Sequence, residues 1–292
     1  MVGAAEGSRR TGLIVRILVT GATGMLGTDV CAVLAHHDLT AYSRAQLDIE
    51  DADAVLAAVE GHEVIVNTAA YTKVDDAEAH EDRAYGVNAR GAEILATAAR
   101  TTGARLIHLS TDYVFDGRAT TPYAEDSPRH PVSAYGRTKA AGEELALAAH
   151  ADGTAIVRTA WLYGVHGPNF VDTMLRLSAE RETLQVVNDQ RGQPTWSFDL
   201  ARQISLLIDA GVPAGIFHGT NSGEATWFDL ARRVFELRGL DPERIQPTDS
   251  SSFVRPAPRP GYSVLGHEAW AHIGLEPMRD WNAALEERLA LS

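Results

Sequence analysis

Cysteine, lysine and long apolar runs are scarce in this chain of 292 residues. The single cysteine, Cys31, excludes an internal disulfide and is typical of a reducing compartment, so we expect a cytoplasmic protein. Because Cys31 lies in a helical pattern of apolar residues, we interpret it as a packing residue rather than a nucleophile. No stretch reaches the roughly 18 consecutive apolar residues of a membrane-spanning helix, and LIVRILVT is better interpreted as a buried strand than as a signal-peptide core. We therefore expect no contact with a membrane.

An excess of basic residues is also missing, since the formal net charge is −13 at pH 7. This charge argues against non-specific binding to nucleic acid, although a local loop can still bind an anionic ligand. The 26 basic residues include only two lysines, Lys73 and Lys139, and every other one is arginine. Both lysines fall in segments that are interpreted below as parts of a functional site, which makes them candidates for a specific role.

The first half of the chain alternates apolar runs with helical patterns. The runs RILVTG, LTAYS, EVIVNTAA, RLIHLST and TAIVRTAWLYG are typical of strands. Helices are predicted over residues 25–36, 51–59, 88–101 and 134–149. This alternation predicts an α/β fold with a doubly wound, Rossmann-like parallel sheet that is covered on both faces.

The alternation ends after Gly164, where helices and short extended runs follow, with Thr226 as a predicted helix N-cap. Residues 1–12 are predicted to form a flexible tail. Residues 13–164 are predicted to form a dinucleotide-binding domain, to which the chain returns at about 194–218. The remaining residues, 165–193 and 219–292, are predicted to form a smaller C-terminal α/β cap that binds the substrate.

The segment TGATGMLG places Gly21, Gly24 and Gly27 directly after the first strand and at the start of the first helix. Glycine permits a tight turn and close backbone approach to a pyrophosphate, and the amides at the helix start face the phosphates. A glycine-rich turn without a ligand is the alternative. The context of strand, loop and helix favours dinucleotide binding.

The second predicted strand ends at Ser43 and Arg44, where an arginine can accommodate a 2′-phosphate. This pattern favours NADPH. Asp48 can also approach the adenosine, so NADH is the alternative cofactor, and Arg44 can instead be a solvated loop charge.

Tyr135 and Lys139 lie four residues apart in YGRTK, which places them on one face of a helix, one turn apart. A tyrosine has a pKa near 10 in water, and a neighbouring ammonium group is expected to lower it towards neutral pH. Ser110 and Thr111 end a predicted strand about 25 residues upstream, where a hydroxyl group can donate to a carbonyl oxygen that gains negative charge. Solvated helix residues and strand-end capping are the alternatives. Together, the pattern indicates reduction of a carbonyl group.

These motifs resemble the extended short-chain dehydrogenase/reductase family, whose glycine spacing is Gly-x-x-Gly-x-x-Gly. Within it, the chain resembles the dTDP-4-dehydrorhamnose reductases along nearly its whole length past the tail. The segments that carry this resemblance are TGATGMLG, LDIED, NTAAYTKVDDAE, VNARGAEILA, STDYVFDG, SAYGRTKAAGE, VRTAWLYG, DQRGQPTW and RPGYSVL. It implies NADPH-dependent reduction of the C4 keto group of dTDP-4-dehydro-L-rhamnose, a dTDP-sugar substrate and, as further expectations, a homodimer and bound Mg²⁺.

The resemblance also implies roles for single residues. Tyr135 is expected to donate the proton, Lys139 to modulate it and Thr111 to hydrogen-bond the carbonyl oxygen. The residues expected to bind the cofactor are Gly21, Thr23, Gly24, Met25, Leu26, Gly27, Ser43, Arg44, Asp48, Ile49, Ala69, Ala70, Tyr71, Tyr135 and Lys139. The residues expected to contact the sugar are Thr72, Val74, Thr111, Tyr113 and Trp161, and no residue is assigned to a metal.

Some alternatives remain open within this resemblance. Dehydratases of the family carry Asp-Glu after the threonine, whereas Thr111 is followed here by Asp112 and Tyr113, which favours reduction over elimination of water. An epimerase or reductase of another nucleotide sugar, or a non-catalytic nucleotide-binding regulatory subunit, remain alternatives. Tyr262 stands where relatives often have asparagine, so no site role is assigned to it. The acidic run from Asp75 to Asp82 is interpreted as a solvated helix start.

Overall fold

The computed structural model describes residues 13–291, so the predicted tail lies outside the described residues. The strands are β1 (Arg16–Thr20), β2 (Asp38–Tyr42), β3 (Val64–Asn67), β4 (Arg105–Thr111), β5 (Thr154–Thr159), β6 (Leu162–Tyr163), β7 (Leu184–Val187), β8 (Arg191–Gly192), β9 (Thr195–Trp196), β10 (Gly215–His218), β11 (Ala225–Thr226) and β12 (Ile245–Thr248). The helices are α1 (Met25–Val33), α2 (Ala52–Val59), α3 (Val74–Ala77), α4 (Glu81–Tyr85), α5 (Gly91–Thr102), α6 (Ala134–His150), α7 (Phe170–Glu180), α8 (Ser197–Asp209), α9 (Trp227–Leu237), α10 (Glu268–His272) and α11 (Trp281–Ala290).

The main sheet has six parallel strands in the order β2-β1-β3-β4-β5-β10. This confirms the predicted α/β fold with a doubly wound sheet. The direction of winding reverses between β1 and β3. Strand β2 lies on one side of β1, and the other four strands of this sheet, β3, β4, β5 and β10, lie on the other side. In such sheets, ligands bind outside the carboxyl ends of the strands at the point of reversal.

Helices cover both faces of the sheet. On one face α1 and α8 pack on the sheet through Val30 and Leu200, in a core that includes Val19 and Val66. On the other face α2, α5 and α6 enclose a second core that includes Ile65. Strands buried on both faces account for the continuous apolar runs in the sequence, such as VIVN in β3. Cys31 is partly buried and packs against the first core, as expected.

A separate core lies in the C-terminal part, where α7, α9 and α11 pack around Val171, Phe235 and Leu285. The predicted N-cap of α9 is confirmed, since Thr226 and Asp229 form a reciprocal capping box. Trp270 and Met278, however, pack into the core of the main sheet. The bounds of the two predicted domains therefore stay a prediction, which the separate cores support.

Two helix bounds differ from the prediction. Helix α1 ends at Val33 rather than at residue 36, because the chain must turn there for Asp38 to bond Val15 and begin β2. The predicted helix over 88–101 begins instead as α4, passes through a π-helical turn over Gly86–Arg90 and continues as α5. Among residues 13–291, no helix combines the length and the apolar character needed to cross a bilayer.

Candidate active site

The glycine-rich loop joins β1 to α1 at the point where the sheet reverses direction. Gly21 has a φ of 72°, and a Cβ atom there would lie 2.6 Å from the backbone nitrogen of Ala69, which follows β3. A Cβ atom at Gly27 would overlap the carbonyl oxygen of Gly21. Only glycine therefore permits this close packing of the loop against β3 and the first helical turn.

The start of α1 suits an anionic ligand. Its N-cap is Gly24, which has no side chain to bond the first amides, and the first turn contains no acidic residue. Backbone amides and the helix dipole at such a start favour a phosphate group. Of the neighbouring residues, Thr23 is exposed, Leu26 is buried and Met25 is partly buried beside Gly164. The loop therefore fits the pyrophosphate of a dinucleotide.

The carboxyl end of β2 lies beside this loop, since the amide of Ala22 donates to Tyr42. Ser43 bonds Gln46 through both its amide and its hydroxyl group. Arg44 is exposed, and within residues 13–291 it makes no ion pair or hydrogen bond. A free guanidinium group at this position suits a 2′-phosphate.

Asp48 and Ile49 lie next along this side of the sheet. Asp48 is exposed and accepts a bond from the amide of Glu50. Ile49 is buried against Gly91 at the start of α5, where a Cβ atom would lie 2.6 Å from its Cδ1. Asp48 is thus open to a ligand, whereas Ile49 serves mainly in packing.

The segment after β3 is held by two buried asparagines. Asn67 accepts bonds from the Thr20 hydroxyl group and the Ala69 amide. Asn88 bonds both the amide and the carbonyl group of Tyr71, at 2.8 and 3.1 Å. The π-helical turn places Asn88 at this contact. The backbone over 69–71 is therefore fixed beside Gly21.

Tyr135 and Lys139 lie one turn apart on α6, as the spacing predicts, but their side chains make different contacts. The Lys139 Nζ atom is buried and donates to the carbonyl oxygen of Leu109 at 2.6 Å. Tyr135 is partly buried, and its ring packs edge-on against Tyr113 with the centroids 5.5 Å apart. Both residues thus reach the carboxyl end of β4.

The expected lowering of the Tyr135 pKa is wrong for this structure. Burial raises the pKa of Tyr135 to about 12, and the neighbouring Thr111 hydroxyl only partly opposes this. Burial also lowers the pKa of Lys139 to about 8, against the opposing effect of Glu143. The Asp112 carboxyl group raises the pKa of Tyr135 further, whereas the Lys139 ammonium group bonds a backbone carbonyl oxygen instead. Tyr135 is therefore protonated at neutral pH, which is the form that a proton donor needs.

The two strand-end hydroxyl groups have different partners. Thr111 is 6% exposed, donates to the Asp112 carboxyl group at 2.9 Å and lies on the side of Tyr135. Ser110 donates instead to the buried Glu143 of α6 at 2.5 Å. Only Thr111 is thus placed to reach a carbonyl group beside Tyr135.

A buried ion pair, between Glu143 and Arg158, lies one turn after Lys139 along α6. Arg158 of β5 bonds both carboxylate oxygens of Glu143, at 2.9 and 2.8 Å, and both side chains are almost inaccessible. Buried pairs of this kind tolerate little movement, because losing one partner leaves an uncompensated charge. The pair therefore fixes α6 against β4 and β5 at the level of Lys139.

A cavity of about 630 Å³ opens between this edge of the sheet and the C-terminal part. Its lining includes Tyr113 from the sheet edge, with Ser263 and the loop 253–260 opposite. This volume is in the range of small-molecule sites. Tyr113 also packs on Tyr135, so the phenol of Tyr135 lies directly behind the cavity wall.

Three aromatic residues, Trp161, Phe170 and Trp227, form one side of the cavity and are called the aromatic wall. Trp161 stacks on Trp227 with ring centroids 3.7 Å apart and planes 9° apart, and Phe170 packs on Trp227 at 4.7 Å. Trp161 has a φ of 46°, a strained value for a bulky residue, and Gly192 alone leaves space for its ring. The wall suits stacking on a base or a sugar ring.

The other expected sugar contacts lie outside the cavity lining. Thr72 and Lys73 are exposed, and Val74 is partly buried, whereas their neighbour Asp75 lines the cavity. Tyr262 contacts Glu224 rather than the cavity. Of the expected sugar contacts, Tyr113 and Trp161 thus line the cavity, whereas Thr111 lies beside Tyr135, and Thr72 and Val74 do not line the cavity.

Charged residues of the proline-rich loop face the cavity. Arg259 pairs with Asp75 at 2.9 Å, and within residues 13–291 Arg255 makes no ion pair or hydrogen bond. Two guanidinium groups beside an aromatic wall suit a diphosphate group. Across the part of the chain that the structure describes, no cluster of three His, Cys, Asp or Glu residues could hold a metal ion.

Several of these residues escaped the sequence analysis. Phe170, Trp227 and Arg259 come from distant segments, and no local pattern connects them. A tryptophan at the first position of an amphipathic helix, where Trp227 lies, was the available signal. Glu143 extends the Tyr135–Lys139 spacing by one more turn, which could have placed it on the same face of α6.

Comparisons with known proteins agree with this geometry. The sequence model described as the RmlD substrate binding domain matches residues 15–292. A dTDP-4-keto-6-deoxy-D-glucose reductase of Streptomyces niveus is 51% identical over 280 residues, 94% of this chain and 97% of that protein. A dTDP-4-dehydrorhamnose reductase of Streptomyces griseus is 50% identical over 280 residues, 93% and 92% of the two chains. The crystal structure of a dTDP-4-dehydrorhamnose reductase from Bacillus anthracis in complex with NADP has a TM-score of 0.91 at 37% identity, covering 96% of this chain and 100% of that one.

Proposed function

The chain belongs to the RmlD family of dTDP-4-dehydrorhamnose reductases, and we propose that it reduces the C4 keto group of dTDP-4-dehydro-L-rhamnose with NADPH, giving dTDP-L-rhamnose. The observation that carries this proposal is the place of Tyr135. Its protonated phenol lies beside the Thr111 hydroxyl group at the carboxyl end of β4, and its ring packs on Tyr113, which lines the cavity. The S. griseus relative bears the name of this activity at 50% identity.

The cofactor half of the site would hold NADPH along the carboxyl edge of the sheet. The start of α1 would bind the pyrophosphate, Arg44 the 2′-phosphate and the backbone over 69–71 the nicotinamide ribose. Lys139 lies one turn from Tyr135 and would bond the ribose hydroxyl groups. When bound, the reduced nicotinamide supplies the hydride.

Tyr135 delivers a proton to the carbonyl oxygen as that oxygen becomes an alkoxide. A phenol with a pKa of about 12 still donates to an alkoxide, which is a much stronger base. Thr111 stabilises the same oxygen by hydrogen bonding. The chain thus supplies the proton and the hydrogen bond that the product hydroxyl group requires.

The dTDP moiety would occupy the cavity. The aromatic wall offers a stacking surface for thymine or a sugar ring, and Arg255 and Arg259 offer positive charge to the diphosphate. Thr72, Val74 and Tyr113 remain proposed contacts of the sugar. No step is assigned to Mg²⁺.

A second substrate is favoured by one relative. The S. niveus protein, at 51% identity, is named for a dTDP-4-keto-6-deoxy-D-glucose, which differs in the sugar and shares the C4 ketone. The same edge residues serve either substrate. We further propose a cytoplasmic location, in keeping with the single cysteine, and a homodimer.

The test is loss of nicotinamide absorbance with purified enzyme, offering each keto-sugar with NADPH and with NADH. We expect one NADPH consumed per dTDP-L-rhamnose formed. An epimerase would recycle its cofactor and show no net loss of absorbance. Tight NADPH binding without turnover of any dTDP-keto-sugar would instead point to a regulatory subunit.

A further inference from the structure

Asp112 lies next to Thr111, the proposed catalytic threonine. Its side chain is 2% exposed. One carboxyl oxygen, Oδ1, accepts the Thr111 hydroxyl hydrogen at 2.9 Å. The other, Oδ2, is buried and makes no hydrogen bond of good geometry among the described residues, and the Ser263 hydroxyl group lies near the carboxyl group. A buried carboxyl group that lacks a cationic partner is costly to keep ionised.

The hydrogen bonds of Thr111 can be counted. A threonine hydroxyl group has one hydrogen to donate and two lone pairs to accept with. Here the hydrogen is directed at Asp112, Oγ1 accepts from the amide of Tyr113 at 3.3 Å, and the Tyr135 phenol lies within hydrogen-bonding reach of the same hydroxyl group. An ionised Asp112 can only accept, so it retains the single hydrogen of Thr111. A protonated Asp112 can donate to Thr111, which frees that hydrogen for another acceptor.

We propose that Asp112 is a positioning residue whose protonation decides whether Thr111 can donate its hydroxyl hydrogen to the substrate carbonyl oxygen. This inference rests on the proposed function, because it needs a substrate oxygen at Thr111. The site is therefore reactive when the Asp112 carboxyl group is protonated. Reduction therefore falls as Asp112 ionises.

The surroundings of Asp112 support a titration near neutral pH. Burial raises the pKa of Asp112 to about 6, and the hydroxyl groups of Ser263 and Thr111 partly oppose this. The titratable groups that face it are the phenols of Tyr113, from its own turn, and Tyr135, from α6. Lys139 is directed at the Leu109 carbonyl instead.

The experiment compares the pH dependence of kcat/KM in the wild type and in Asp112→Asn. Asparagine keeps the shape and has no proton to lose in this pH range. We expect the wild type to lose up to about tenfold in kcat/KM per pH unit above pH 6, and the variant to lack this limb. A second limb near pH 8, from Lys139, should remain in both proteins. Asp116→Asn is the matched control, because Asp116 is only partly buried, accepts a hydrogen bond from the Tyr123 hydroxyl group and has a lowered pKa.

A carboxyl ¹³C titration of aspartate-labelled wild type provides a readout that needs neither the variant nor turnover. We expect one aspartate resonance to titrate near pH 6, at the midpoint of the kinetic limb. Ionisation of every aspartate below pH 5, or the same limb near pH 6 in wild type and Asp112→Asn, overturns the inference. Turnover without any limb near pH 6 also overturns it while leaving the proposed function intact. A wild type that reduces no dTDP-keto-sugar overturns both.

Discussion

The carboxyl edge of the main sheet meets the cavity through Tyr113 and the aromatic wall forms another part of its lining, but the two regions differ in the chemistry of their side chains. At the edge, Thr111, Asp112 and Lys139 are buried polar groups, and burial moves the pKa of the two titratable ones towards neutrality. The wall consists of stacked rings without a titratable group. Burying polar groups lowers the free energy of unfolding, whereas aromatic rings that pack on a ligand contribute to its binding free energy. The edge should therefore determine the rate of the chemical step, and the wall the affinity for the substrate.

The largest expected effect follows replacement of Tyr135 by phenylalanine. We expect kcat to fall about a hundredfold or more, because the proton donor is lost, while KM changes little. Steady-state oxidation of NADPH measures both constants. The exposed Tyr85→Phe is the control and should keep wild-type values. Near-normal turnover in Tyr135→Phe would contradict the mechanism.

The next effect concerns the aromatic wall. Trp227→Ala should raise KM for the dTDP-sugar about tenfold to a hundredfold, since one stacked base is worth about 1–3 kcal/mol. We expect kcat to change little, and the Kd for NADPH, measured by fluorescence on the same sample, to stay constant. A fall in kcat as large as that of Tyr135→Phe would show that the aromatic wall, like the edge, determines the rate of the chemical step.

A smaller effect is expected at the adenosine end of the edge. Arg44→Ala should lower the preference for NADPH over NADH by up to about fivefold, because the loss of one exposed charge pair with a phosphate is worth up to about 1 kcal/mol. The ratio of kcat/KM for the two cofactors is the measurement, with the exposed Arg100→Ala as control. An unchanged ratio would show that Arg44 remains in solvent.

The smallest effect is on stability. Burial lowers the pKa of Lys139 from 10.5 to about 8, so the folded protein binds this proton less tightly than the unfolded chain. The penalty is complete below pH 8 and disappears as pH rises towards 10.5. The free energy of unfolding of Lys139→Met should therefore be about 1 kcal/mol higher at pH 7, after the loss of the bond to Leu109 is subtracted.

Urea unfolding of both proteins at pH 7 and at pH 10 measures this difference. We expect the advantage of Lys139→Met to shrink at the higher pH. A variant that is less stable than the wild type at both values would show that the ammonium group stabilises the fold.

The sequence predicted the edge well because its signals are local. A glycine loop between strand and helix, a strand-end threonine and a tyrosine–lysine pair each lie within a few residues, and their places in a doubly wound sheet are fixed by connectivity. The sequence could not predict the direction of the pKa shift at Tyr135. That shift depends mainly on the burial of the phenol, which segments distant in the chain produce together.

The amino-acid sequence by itself determined the layered fold, the position of the dinucleotide loop and which residues could carry the chemistry, because periodicity and short spacings act within single elements. Only the tertiary structure decided which side chains share the cavity. Trp161, Phe170, Trp227 and Arg259 come from four separate segments, and Asp75 from a fifth. These residues meet because the C-terminal core packs against the sheet. The free energy of that packing is the sum of many contacts between residues far apart in the chain, and no local sequence pattern contains it.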